Sequence, residues 1–138
     1  MKNLDNLKRQ HLDIYEIVAE TKELMKKSDF DMHSKNVAMN INVLAGKLKM
    51  HLINEDKFLY PTFLSSDDDK LSKKAKEYIE EMGDLSEVYT EFKSKYNVRS
   101  KIMVDIPKFM KEANSVFDAI EKRMNKEDND LYVLAEKL

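Results

Sequence analysis

Along four stretches of the chain, apolar residues recur at alternating spacings of three and four. The first stretch reads Leu4, Leu7, His11, Ile14, Val18, Thr21, Met25, and the second Val37, Ile41, Leu44, Leu48, His51, Glu55, Phe58. The third reads Leu71, Ala75, Tyr78, Met82, Leu85, Tyr89, Phe92, Tyr96. The fourth runs Ile106, Phe109, Ala113, Val116, Ile120, Arg123, Glu127, then Leu131 and Leu134. This period predicts four α-helices, each with one buried stripe. The breaks between them carry helix-start chemistry. Ser28, Asp29 and Asp31 in KKSDFD are candidate caps, as is Ser66 or Asp67 in PTFLSSDDD. Asp105 is a candidate for the last helix, with Pro107 in the first turn, where a missing N–H costs little. Short connections make successive helices antiparallel. The expected fold is all-α, an antiparallel up-down-up-down four-helix bundle forming a single domain over residues 1–138.

Each stripe turns polar, or at least changes character, near one point: His11, then His51 with Glu55, then Met82, then Arg123 with Glu127. In an antiparallel hairpin, two residues at equal height lie equally far from the connecting loop. The midpoint of 11 and 51 is 31, that of 51 and 82 falls between 66 and 67, and that of 82 and 123 falls between 102 and 103. Every midpoint lies in a predicted break. Counting alone therefore places these residues in one layer across the bundle.

Composition narrows what such a layer can be. With no cysteine among 138 residues, there is no thiolate site or disulfide framework, so a metal would need nitrogen and oxygen ligands. A net charge of -2 with mixed signs leaves no footprint for nucleic acid. No apolar run approaches the roughly 18 residues that cross a bilayer, and the N-terminal segment has no apolar signal-peptide core. The expectation is a cytoplasmic protein without membrane or nucleic-acid partners.

The chain also matches itself at an offset of 71 or 72 residues, giving two pseudo-repeats of about 1–66 and 67–138. HLINEDKFLY (51–60) lies over RMNKEDNDLY (123–132), sharing Glu-Asp and Leu-Tyr, and HLDIYEIVAE (11–20) lies over MGDLSEVYTE (82–91). In this register His11 answers to Met82, His51 to Arg123 and Glu55 to Glu127.

A histidine early in the first of four helices, and His-x3-Glu late in the second followed by LYP, resemble the hemerythrin-like family of HHE cation-binding domains. The resemblance covers nearly the whole chain. It implies a non-haem di-iron centre with ligands from all four helices, binding a metal ion and a small diatomic ligand, or acting in iron handling, nitrosative-stress repair or sensing. Residue by residue, it implies that His11, His51 and Glu55 ligate one metal and that Glu127 is a carboxylate near both.

Two positions depart from that pattern. Met82 and Arg123 stand where the family places histidines. A thioether is a poor ligand for a hard iron, and a guanidinium has no lone pair to give. Two readings remain open. One metal ion, iron with manganese or zinc as alternatives, binds in the retained half. Otherwise the bundle is metal-free, an interaction module in which Arg123 supplies the metal's charge to Glu55 and Glu127. Exposed Met39, Val43, Met50, Leu52, Ile102 and Met103 would serve that module. An enzyme using a single iron ranks last, because nothing marks a substrate pocket. Met82 reads as core packing, His33 as a solvent-exposed residue away from the layer, and Tyr15 as a boundary tyrosine or a hydrogen-bond donor at the site. Gly83 either opens room for a ligand or permits close helix packing.

Overall fold

A computed structural model describes residues 2–138, with side chains from Leu4 onward; Met1 lies outside the described residues. Four long helices carry the four stripes: α1 (Lys2–Met25), α2 (Phe30–Phe58), α4 (Asp69–Tyr96) and α6 (Ile106–Lys126). Two of the breaks are themselves partly helical, forming α3 (Tyr60–Leu64) and α5 (Arg99–Met103). After α6 the chain makes one π-helical turn (Glu127–Leu131) and ends in α7 (Tyr132–Glu136). Among the described residues there is no β-strand.

The helix starts follow the side-chain chemistry with one correction. Asp105 caps α6, accepting from the Lys108 N–H at 3.1 Å, and Pro107 sits in the first turn. Asp29 stands at the cap position of α2 without a side-chain bond. The cap of α4 is Asp68, which accepts from the Lys70 N–H at 2.9 Å, and neither Ser66 nor Asp67 takes that place. Ser66 instead accepts from the Asp68 N–H, forming a small turn that delays the helix start.

Burial follows the stripes through most of their length and departs where the helices break. Phe58 was expected inside and is exposed, because α2 ends there. The chain bends at Leu59, and Leu59 and Tyr60 turn inward in its place. Ile102, expected on the surface, is fully buried by α5, while Met103 and Leu52 pack half-buried against the core. Met39, Val43 and Met50 are exposed as expected. His33 is half-buried beside Asp29, 3.3 Å away. A Cβ on Gly83 would meet nothing within 4 Å, so close packing of a neighbouring helix does not explain that glycine.

The apolar interior falls into two clusters. The larger joins Ile14, Leu48, Met82 and Ile120 with an aromatic group of Phe92, Tyr96, Phe109 and Phe117. The smaller joins Leu7, Leu59, Tyr60, Tyr78 and Leu131 near the other end of the helices. On α1, α2 and α6 with its π turn, the residues between one cluster and the other are His11, His51 with Glu55, and Arg123 with Glu127. The polar layer predicted by counting is the boundary between two apolar cores. Met82 belongs to the larger core, as its packing reading anticipated.

Candidate metal centre

His11 from α1, His51 and Glu55 one turn apart on α2, and Glu127 at the start of the π turn meet in the interior. All are 1% exposed or less. Each offers one ligand-type atom, and these atoms lie within 4.8 Å of one another. His11 Nε2 stands 2.9 Å from His51 Nε2 and 2.9 Å from Glu127 Oε1. His51 Nε2 is 3.2 Å from the same Glu127 oxygen and 3.4 Å from Glu55 Oε1.

The outer nitrogens determine what the inner ones can do. His11 Nδ1 is 2.7 Å from Asp128 Oδ1, and His51 Nδ1 is 2.8 Å from Gln10 Oε1. Carboxylate and amide oxygens accept, so both Nδ1 atoms carry protons and a neutral ring presents a bare lone pair at Nε2. Two such lone pairs facing each other across 2.9 Å repel unless a metal ion or a proton lies between them. Glu55 strengthens the case: its buried Oε1 has His51 Nε2 3.4 Å away but makes no well-formed hydrogen bond. Two anchored imidazoles and two carboxylates are a donor set that fits a first-row divalent ion.

Without a metal, protons supply that cation. Burial opposes protonation of His51, but hydrogen bonds to Glu127 and Glu55 outweigh it and lift the imidazole to about 9. His11 is also raised: burial works against the proton, and Asp128 and Glu127 prevail. Burial raises Glu55, and the adjacent Glu127 charge adds to that. Burial acts against Glu127 too, but bonds from His11, His51 and Glu55 hold it ionised far below the usual carboxylate range. The pocket is built to retain positive charge beside Glu127.

A hemerythrin HHE cation-binding domain model matches residues 2–135 of the chain. The chain belongs to the hemerythrin family. No curated protein and no solved structure matches it.

This hemerythrin-family member differs from the expected layer in how Arg123 is used. The expectation was a fork shared between Glu55 and Glu127. Arg123 Nε does donate to Glu127 Oε2 at 2.8 Å, but the other arms go to Glu81 Oε2 at 2.9 Å and to the Tyr78 carbonyl at 2.6 Å. Glu55 is engaged by Tyr132 instead, whose hydroxyl donates to Oε2 at 2.9 Å. Glu127 therefore faces the histidines with one oxygen and the guanidinium with the other.

Stripe reading missed Tyr132, Asp128, Gln10 and Glu81. Tyr132 lies off the stripe of a regular helix continued from Glu127. The π turn, closed by the Tyr132 N–H on the Glu127 carbonyl, inserts one residue and rotates it inward. A hint was present in the repeat, since Leu-Tyr occurs at 59–60 and again at 131–132 and both tyrosines are buried. Asp128, Gln10 and Glu81 each neighbour a stripe residue in sequence and reach the layer from its rim. Tyr15 is also at the rim, donating to Asn125 at 2.6 Å and contacting Asp128 at 3.2 Å.

Proposed function

We propose that this hemerythrin-family chain binds one metal ion through His11, His51, Glu55 and Glu127, and that Arg123 replaces a second. The observation that carries the reading is the convergence of two Nε2 atoms, 2.9 Å apart, and two buried carboxylates whose ligand-type atoms lie within 4.8 Å of one another. Iron is the proposed ion and a cytoplasmic sensor the proposed role, with manganese and zinc distinguished by elemental analysis. Bound iron would supply one-electron redox chemistry and a position for a small diatomic ligand. The protein's own part is positional. Asp128 and Gln10 fix the two rings, the apolar clusters on either side exclude water, and Glu127 links the site to a permanent charge at Arg123.

The two-repeat reading supports one ion rather than two. Gln10 holds His51, and 71 residues later Glu81 holds Arg123, so the rim contact persists while the ligand has changed to a cation. A guanidinium in the second half pairs with the outer oxygen of Glu127 and repels a further metal.

Metal content per chain, measured after anaerobic growth with iron, tests the proposal. One equivalent is expected, lost in His51→Ala and Glu55→Ala and kept in His33→Ala. Two equivalents would overturn the assignment of Arg123. The second reading, a metal-free interaction module, is favoured by the hydrogen bonds that all three Arg123 nitrogens make and by exposed Met39, Val43 and Met50 on α2. Absence of metal from protein that is fully folded and stable would select it.

A further inference from the structure

Tyr132 is fully buried, with its ring stacked on His11 at 4.9 Å between centroids. Its hydroxyl oxygen lies 2.9 Å from Glu55 Oε2, 3.1 Å from His11 Nε2, and 3.4 Å from both His51 Nε2 and Glu127 Oε1. The phenol oxygen thus touches all four members of the donor set, as closely as they touch one another. Neither Tyr15 nor Tyr60 does so: Tyr15 bonds at the rim, and the Tyr60 hydroxyl has no hydrogen-bond partner among the described residues. Packing alone would be served by phenylalanine.

We infer that the Tyr132 oxygen is a fifth protein ligand, bound as phenolate to a ferric ion at this site. The inference rests on the metal-binding reading above. With the Arg123 charge balanced by Glu81, the carboxylates of Glu55 and Glu127 balance a divalent ion, leaving Tyr132 a neutral phenol that donates to Glu55. A trivalent ion leaves one uncompensated positive charge in a dry pocket, where unpaired charge is costly. The phenolate cancels it, and a hard ferric ion favours anionic oxygen. An added one-electron oxidant would take one electron from a bound ferrous ion. The Tyr132 oxygen would become a ligand as its O–H proton passes to Glu55 Oε2, 2.9 Å away, and from there to the buffer.

The test loads the full chain anaerobically with ferrous iron and oxidises it with ferricyanide. The expected result is one iron per chain, an intense visible phenolate-to-iron charge-transfer band, and tyrosinate ring modes in resonance Raman spectra excited within that band. Tyr132→Phe loses the band with iron retained, whereas Tyr60→Phe and Tyr15→Phe keep it. Should Tyr132→Phe fail to fold, a shift of the Raman modes in wild-type protein carrying ring-deuterated tyrosine, together with retention of the band when each of the other five tyrosines is changed to phenylalanine in turn, identifies the ligand. One iron without the band, or a band that survives Tyr132→Phe, overturns the inference and leaves the metal site standing. A wild-type chain that takes up no iron overturns both.

Discussion

Arg123 is almost fully buried, and each arm of its guanidinium is used: on Glu127, on Glu81 and on the Tyr78 carbonyl, with the plane 4.6 Å above the Tyr78 ring. Arg123→Ala would leave Glu127 Oε2 buried without its cation, a loss of about 3–5 kcal/mol. Urea denaturation of the metal-free protein reads this directly. Arg123→Lys is expected to recover only part, because one ammonium cannot reproduce a three-way fork. Glu81 is half-exposed, so Glu81→Ala should cost no more than about 1 kcal/mol. The Arg123–Glu127 contact was legible in the sequence, since residues four apart on a helix face each other. The expected Arg123–Glu55 contact was not formed. Its competitor, Tyr132, is brought in by a backbone irregularity that no periodic pattern encodes.

At the scale of single elements, the long helices were readable and their ends were less so. Asp105 was found because one acid precedes an unambiguous Ile-Pro start. In the run SSDDD, four residues after Ser65 have capping chemistry, and local turn geometry selected Asp68. Thermal unfolding should resolve this: Asp68→Ala is expected to cost about 1 kcal/mol, and Asp67→Ala within about 0.5 kcal/mol of nothing. Gly83 offers the opposite experiment. It sits inside α4 with open space where a Cβ would go, so Gly83→Ala should stabilise by up to about 1 kcal/mol. Asp128, Asn129 and Asp130 are poor helix formers, which is the physical opening for the π turn. That composition was visible, but its consequence for the direction of Tyr132 was not.

For the molecule as a whole, equal heights on antiparallel helices proved a strong constraint. His11, His51, Glu55 and Glu127 were named from loop midpoints and family resemblance, and the fold brings all four together. What counting could not supply was the side-chain traffic around the layer, which depends on rotamers and on neighbours just outside each stripe. If the proposed ion binds the folded state alone, free metal at a hundred times its dissociation constant should add about 2.7 kcal/mol of stability. Calorimetry with and without a chelator measures the difference, and the increment should vanish in His51→Ala.

The contacts between α1 and the last turns of the chain have a further consequence for the order in which the protein assembles. Neighbouring helices meet across short loops, but His11 meets Glu127 across 116 residues. That junction closes a ring, and its closure entropy, of the order of 4 kcal/mol, falls due only when the first and last helical segments dock. The same junction is tied at the rim by Tyr15 with Asn125, Lys22 with Asp118, and Lys8 with Glu136. Emptying or mutating the histidine layer would therefore loosen the clasp rather than the middle of the bundle. Amide hydrogen exchange should quicken in α1 and after Glu127 together, while the α2–α4 hairpin stays protected.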